Sequence, residues 1–342
     1  IKSILRQTDK AVSITFEVPE DLKTEFTFKA GQYITLKTAI DSQEIRRDYS
    51  LSSSPASGAL TVTVKEIEGG VFSSHANKHL KKGDSIDVGT PNGRFIYETQ
   101  TGTNTIVAFA AGSGITPIMS IARTVLETET DSTFVLVYGN KSANETIFLD
   151  EILKLQGLYA NRFKLQFVYS EVDENDALFG RIDSGNVNYS LKNTIDIEGA
   201  QKFYLCGPEG MINTVNEILI EKGFEKSQIL FELFTASAAA PTSDTSTKKG
   251  ESILTILVDE EETSLSMLQK QTILEAALAN DLDVPYSCQG GVCSSCICRV
   301  TEGSALMRQN NILTDNEVAE GLVLSCQAEP TSAMIKVDFD DI

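Results

Sequence analysis

Four cysteines constrain this chain more than any other feature. Cys288, Cys293 and Cys296 stand in the run Cys-Gln-Gly-Gly-Val-Cys-Ser-Ser-Cys, and Cys326 follows much later. The spacing, C-x4-C-x2-C and one distant partner, suits thiolates gathered around a [2Fe–2S] cluster. Three ligands converge from one tight loop, and the fourth must return from elsewhere in the domain to reach the second iron. Gly290 and Gly291 fit such a loop, because glycine lets backbone approach sulfide closely and take positive φ. Four cysteines also suit zinc, although zinc ribbons ordinarily pair two C-x2-C knuckles and this sequence has one.

The other two cysteines, Cys206 and Cys298, lie far apart in sequence and form no disulfide framework. A reducing, cytoplasmic compartment is therefore expected. Cys298 stands two residues after Cys296 in a strand-like run, where alternation points it away from the loop's ligands. The only histidines, His75 and His79, are spaced i, i+4 in an expected helix, a solvated face with no carboxylate motif to complete a metal site. With only two histidines, a Rieske centre or a histidine-rich iron site is not expected of this chain. Any oxygen chemistry belongs to a partner. The net charge of −19 argues against nucleic acid and anionic membrane surfaces as partners. The longest apolar runs are strand-length, too short to span a bilayer, so no membrane insertion is expected. From 251 to 342, sixteen Asp and Glu face only Lys270, Arg299, Arg308 and Lys336, a net of −12.

Periodicity divides the 342 residues into parts. Residues 1–100 read as all-β, with short runs at 11–18, 32–37, 48–52 and 60–67 separated by glycine turns. A helix at 72–80 interrupts them, with Ser73 or Ser74 available as its cap, and the spacing fits an antiparallel six-stranded β-barrel. Residues 101–235 alternate strands and helices, which implies a doubly wound parallel sheet with helices on both faces. Residues 236–250 are Ala, Ser and Thr with one Pro and no periodicity, the composition of a flexible linker. The last part, 251–342, begins with two strands, 253–258 and 263–268, and a helix at 273–280 capped by Thr272.

Four further stretches carry chemistry. The first is Arg47-Asp48-Tyr49-Ser50-Leu51-Ser52-Ser53. The second runs from Lys65 through Gly69-Gly70 to Ser73, where two glycines before a helix present free N–H groups to an anion, aided by the helix dipole. The third is Gly112-Ser113-Gly114-Ile115-Thr116-Pro117, a strand-to-helix turn whose glycines allow close approach to dinucleotide phosphates. Thr116 is its expected N-cap and Pro117 its first helical residue. It reads G-x-G-x-x-P rather than G-x-G-x-x-G. The fourth is Cys206-Gly207-Pro208-Glu209, again a strand end opening a helix.

These stretches resemble known families. CQGGVCSSC, with LSCQAEP around Cys326, closely resembles plant-type ferredoxins, which implies an α+β β-grasp domain. RDYSLSS matches the R-x-Y-S-x-x-S pattern of the ferredoxin–NADP+ reductase superfamily. That resemblance implies FAD, with Arg47 on its pyrophosphate, Tyr49 stacked on the isoalloxazine and Ser50 near the reactive N5. The same superfamily places the FAD pyrophosphate at the Gly70–Ser73 helix start and the nicotinamide coenzyme at Gly112–Pro117. It sets Cys206 and Gly207 beside the nicotinamide, and an acidic–aromatic pair, here Glu232 and Phe234, near the flavin. Lys141 and Arg181 could neutralise a 2′-phosphate, whereas Glu171 could bind the ribose of NADH, so the choice between NADH and NADPH stays open.

The order of parts resembles the reductase components of bacterial multicomponent oxygenases, among them those of phenylacetyl-CoA epoxidases, ketosteroid hydroxylases and desaturases. The implied activity is electron transfer from NAD(P)H through FAD and [2Fe–2S] to an oxygenase component. A diaphorase or quinone reductase with the cluster as a side port, and a redox sensor, are the alternatives. The acidic C-terminal part points to steered docking on a basic partner. Electron transfer to the partner is expected to slow as salt rises, since the screening length falls to about 10 Å at 0.1 M. Steady-state rates that stay flat across ionic strength would exclude such steering.

Overall fold

The computed structural model describes residues 1–342 apart from 101, 175, 197–198, 235–249 and 259. The expected linker lies outside the described residues, but for Gly250. The chain divides into two units at Phe234, and each is described by itself.

The first unit opens with six antiparallel strands, β1 (Ser3–Thr8), β2 (Ala11–Phe16), β3 (Tyr33–Ile40), β4 (Gln43–Ser50), β5 (Leu60–Lys65) and β6 (Asp87–Val88). They pair as two three-stranded sheets, β1-β2-β5 and β4-β3-β6, bridged at Leu51–Val62. Six strands are present as expected, but among the described residues this pairing does not close them into a ring. β6 is only two residues long and offers little to close with. Val12, Ile14, Ile34, Leu36, Val62 and Val64 fill the space between the sheets, with Phe72 and Ala76 of helix α1 (Val71–Lys78). Register sets the functional face of β4. Arg47 pairs with Leu36 and Tyr49 with Ile34, so these four share one side, and Ser50 points to the other.

Six parallel strands follow: β7 (Thr105–Ala111), β8 (Thr133–Asn140), β9 (Phe163–Tyr169), β10 (Ala177–Phe179), β11 (Ala200–Cys206) and β12 (Ile229–Glu232). Their order is β10-β9-β8-β7-β11-β12. Both alternating sets of β7 are buried: Ile106, Ala108 and Ala110, and also Val107 and Phe109. A strand covered on both faces needs no alternation of polarity, which is why it reads as one apolar run. Helices α2 (Ile115–Thr128) and α3 (Leu149–Leu158) share a core with the first set. Helices α4 (Ser184–Asn193) and α5 (Glu209–Glu221) pack on one another. β10 and α4 were not expected from the sequence. α4 is rich in Asn and Ser and shows little apolar periodicity, and it is started by Asp183, whose carboxylate accepts from the Asn186 N–H at 2.9 Å.

The second unit contains β13 (Glu251–Val258), β14 (Glu261–Leu268), α6 (Ile273–Ala279), β15 (Ile297–Glu302), β16 (Ala305–Met307), α7 (Asp315–Ala319), β17 (Leu322–Leu324), β18 (Ala328–Pro330) and β19 (Met334–Asp338). A five-stranded mixed sheet runs β14-β13-β19-β15-β17, with β16 and β18 paired beside it. α6 buries Ile273, Leu274, Ala276 and Ala277 in the core, the helix-on-sheet grasp expected. Its start is a reciprocal capping box. The Glu275 N–H donates to Thr272 Oγ1 at 3.2 Å, and the Thr272 N–H donates to the Glu275 carboxylate at 2.8 Å. Thr272→Ala should lower the unfolding free energy of this unit by about 1 kcal/mol. Chemical denaturation of the variant would measure it, and an unchanged midpoint would show that the cap contributes nothing.

Candidate functional site

The sheet order of the first unit decides where a ligand can sit. Strands β7, β8 and β9 step to one side, and the chain then returns to lay β11 against the other edge of β7. The loops leaving β7 and β11 therefore diverge and open a crevice at their C-terminal ends. Gly112–Gly114 leave β7, and Cys206-Gly207 leave β11. The two loops touch: a Cβ on Gly114 would lie 2.1 Å from the carbonyl oxygen of Cys206, so only glycine fits there. The helix starts differ from expectation. α2 begins at Ile115 after a short 3-10 turn, its N-cap is Gly114, and no side chain caps it. Thr116 lies inside the first turn and donates to the Ser113 carbonyl at 3.1 Å. Pro117 is also inside that turn, where N–H groups have no intrahelical partner and a proline removes nothing. Likewise α1 starts after Gly70 with no side-chain cap, and Ser73 Oγ turns back to the Gly70 carbonyl at 3.3 Å. Both turns leave backbone donors free of side-chain caps, the condition for anion binding.

Several expected residues meet at this crevice. Ser50 Oγ donates to the Glu232 carboxylate at 3.2 Å, joining the end of β4 to the end of β12. Glu232 stands in register with Cys206 on the neighbouring strand. Burial pushes the Glu232 carboxyl up to about 8, against the Ser50 hydrogen bond and reinforced by Asp48. Burial also pushes the Cys206 thiol well up, with Glu232 adding to it. Lys65, half-buried at the end of β5, carries its ammonium beside Gly112, and desolvation lowers its pKa, so an anion there would be welcome. Tyr49 packs against Phe72 with ring centroids 5.3 Å apart, while Arg47 is exposed. Phe234, two residues past Glu232, is also exposed.

Three residues that the sequence did not single out hold these parts together. Ser120 Oγ of α2 donates to the Ser53 carbonyl at 2.6 Å, and Arg123 donates to the Ser52 carbonyl at 2.7 Å while pairing with Glu151. The helix after the glycine turn thus pins the serine end of the RDYSLSS stretch. Tyr138, fully buried, donates to the Gly112 carbonyl at 2.9 Å. No local motif marks them, because each acts on backbone distant in sequence. Lys141 and Glu171 pair with each other at 2.9 Å at the surface, and Arg181 is exposed. The rings of His75, on α1, and His79, its C-terminal cap, lie 5.5 Å apart.

In the second unit the four cysteines gather as two pairs. Cys288 and Cys293 hydrogen bond to each other, as do Cys296 and Cys326. The hydrogen bond with Cys293, joined by the N–H groups of Gly290, Val292 and Cys293, pulls the Cys288 thiol down to about 5. The Gly290 donor lies 3.3 Å from its sulfur. Among the described residues no three His, Cys, Asp or Glu side chains converge on a single ion. The four thiols with N–H donors around them suit the ligand set and the negative charge of a [2Fe–2S] cluster. Positive φ falls on Gln289 and Gly291 rather than on both glycines. Cys298 is wholly buried in the core.

Fold and site define a flavin- and nicotinamide-linked reductase with its own iron–sulfur unit. Three family profiles match in chain order: oxidoreductase FAD-binding domain over residues 7–97, oxidoreductase NAD-binding domain over 109–217, and 2Fe-2S iron-sulfur cluster binding domain over 256–331. FAD, NAD(P)H and a [2Fe–2S] cluster are thus its cofactors. The chain belongs to the family of oxygenase reductase components. It is 35% identical to a 1,2-phenylacetyl-CoA epoxidase subunit of Escherichia coli (strain K12), over 99% of this chain and 96% of that one. It is 30% identical to the ferredoxin reductase component of 3-ketosteroid-9-alpha-monooxygenase of Rhodococcus rhodochrous, over 99% and 95%. The structure of phthalate dioxygenase reductase shares the fold at 23% identity and TM-score 0.62, over 99% and 96%. A self-sufficient type IV cytochrome P450 monooxygenase shares it at 19% identity and TM-score 0.69, where this chain spans 98% of itself but 40% of the larger protein. Among the described residues no helix is long and apolar enough to cross a membrane.

The raised Glu232 carboxyl has a pH signature. The folded state keeps its proton up to about 8, whereas the unfolded chain releases it near 4.5. Its contribution to stability is therefore full below about 4.5, declines as pH rises, and is gone above 8. Glu232→Gln should flatten that decline and add on the order of 2 kcal/mol at pH 9, discounted because the side chain reaches solvent. Thermal melts of both proteins from pH 5 to 9 measure it; parallel curves would show that Glu232 titrates normally.

Proposed function

We propose that this reductase carries electrons from NAD(P)H to a phenylacetyl-CoA epoxidase. The observation that carries the reading is the 35% identity, spanning both chains, with a component of such an enzyme. When bound, flavin takes two electrons as a hydride and releases them singly, and a [2Fe–2S] cluster carries one electron at a time. The chain's own residues supply position and electrostatics. Gly112, Gly114, Thr116 and Pro117 form the turn for the coenzyme phosphates, with Lys65 beside it as counter-charge. Cys206 and Gly207 bound the nicotinamide from β11. Arg47, Gly70 and Ser73 serve the FAD pyrophosphate, Tyr49 the ring face, and Ser50 the N5 edge. Glu232, protonated at neutral pH, keeps a hydrogen-bonded proton at Ser50 without adding charge. Phe234 closes the same edge. Cys288, Cys293, Cys296 and Cys326 would hold the [2Fe–2S] cluster. The four parts are assigned as 1–100, 101–235, 236–250 and 251–342, in a cytoplasmic protein.

If the cluster is the exit, Cys293→Ser, or a chain ended at Phe234, should keep flavin reduction and ferricyanide turnover nearly intact. Product formation from phenylacetyl-CoA with added epoxidase oxygenase components should collapse in both. Stopped-flow reduction of FAD and epoxide yield separate the two steps. Undiminished epoxide yield without the cluster would favour the diaphorase reading, and activity only with a ketosteroid monooxygenase would reassign the partner.

A further inference from the structure

The side chain after the fourth cysteine holds the loop that carries the other three. Gln327 is 9% exposed, and its Nε2 makes two contacts, to the Gln289 carbonyl at 3.0 Å and to Cys326 Sγ at 3.6 Å. A carboxamide nitrogen has two hydrogens, one available for each acceptor. Gln289 stands at φ +54, left-handed backbone that a non-glycine residue keeps only where its surroundings hold it. The bond from Gln327 falls on the carbonyl of that same residue. The stem of Gln327 packs on the loop as well: a Cβ on Gly291 would lie 3.1 Å from Gln327 Cγ and 3.2 Å from the Gln309 carbonyl oxygen. Its own backbone is fixed at both ends, with its N–H on the Leu324 carbonyl and its carbonyl accepting from Arg308.

We infer that Gln327 is a positioning residue for the cluster, tying the distant fourth ligand to the three-cysteine loop and raising the cluster's reduction potential through its N–H to Cys326 Sγ. The inference rests on the four-cysteine cluster reading. One added electron increases negative charge on the ligand sulfurs, and a donor aimed at one of them stabilises the reduced form more than the oxidised form. A strut alone would need only the bond to Gln289; the second hydrogen goes to sulfur.

Two variants test this in the full-length holoprotein. Gln327→Met keeps the length without a donor, and Gln327→Glu keeps the shape with a carboxylate in the donor's place. Anaerobic spectroelectrochemistry should show the cluster potential shifted negative in both, further in Gln327→Glu, with the flavin potential unmoved. A Gln327→Met protein that holds two irons and two sulfides at an unshifted potential overturns the inference. Should Gln327→Met take up no iron, protein labelled with 15N in glutamine side chains decides. It would carry Gln289→Glu and Gln309→Glu, leaving Gln327 the labelled amide of the loop. Pulsed EPR of the reduced cluster should then detect coupling to that nitrogen, and its absence overturns the inference. Iron and sulfide analysis of the unaltered protein keeps the two readings apart, since a chain without two of each would sink the cluster reading itself.

Discussion

The contact between Gly114 and the carbonyl of Cys206 is the constraint on which the first unit turns. Two parallel strands lie side by side, their loops depart in opposite directions, and backbone meets backbone with no room for a Cβ. Parallel sheets admit ligands where connections reverse, so this one position fixes both the floor of the crevice and the start of α2. From that helix Ser120 and Arg123 reach back to Ser53 and Ser52, and the antiparallel sheets are aligned to the crevice by hydrogen bonds to backbone. A second join lies at the opposite side of the same core. Tyr97 donates to the Glu129 carboxylate at 2.5 Å, and Tyr204 donates to the Ile96 carbonyl at 3.1 Å. Phe95, Tyr97 and Tyr204 belong to the same buried cluster as α2, so these joins are made in low-dielectric surroundings where they count for more.

The second unit solves a different problem. Its ligands arrive from two places in the chain, and a short capped helix and a mixed sheet bring them together. Ser325 N–H donates to the Cys296 carbonyl at 2.9 Å, and the Leu274 N–H donates to the Ser325 carbonyl at 3.0 Å. The start of α6 is thereby bonded to the segment that delivers Cys326. The capping box at Thr272 and the ligand geometry share one piece of backbone.

Much of this was legible in the sequence, for a physical reason. Where a domain's chemistry demands residue types at a spacing, as in the cysteine run or the RDYSLSS stretch, the local string marks the domain. The parallel strands were legible because burial on both faces writes continuous apolar runs, and Thr272 because a capping box is local. Helix starts were misjudged where a hydroxyl or proline stood near a glycine. At Ser73 and Thr116 the hydroxyl turns to a nearby carbonyl, and the helix begins earlier on uncapped N–H groups. The sequence could not show that left-handed backbone would settle on Gln289 rather than Gly290, because the side chain bonded to its carbonyl comes from Gln327. Nor could it show that Lys141 and Glu171, read as alternative contacts for the coenzyme, pair with each other. α4 was missed because its polar sequence carries no period, and a packed partner, α5, supplies the reason to be helical.

Burial of Cys206 bears on how such a protein survives its own chemistry. Enzymes that pass electrons toward oxygen work in the presence of peroxide, and peroxide attacks thiolate rather than thiol. Cys206 is wholly buried, and lost solvation holds it firmly as a thiol. The sulfur that stands beside the glycine turn is therefore slow to become a sulfenic acid.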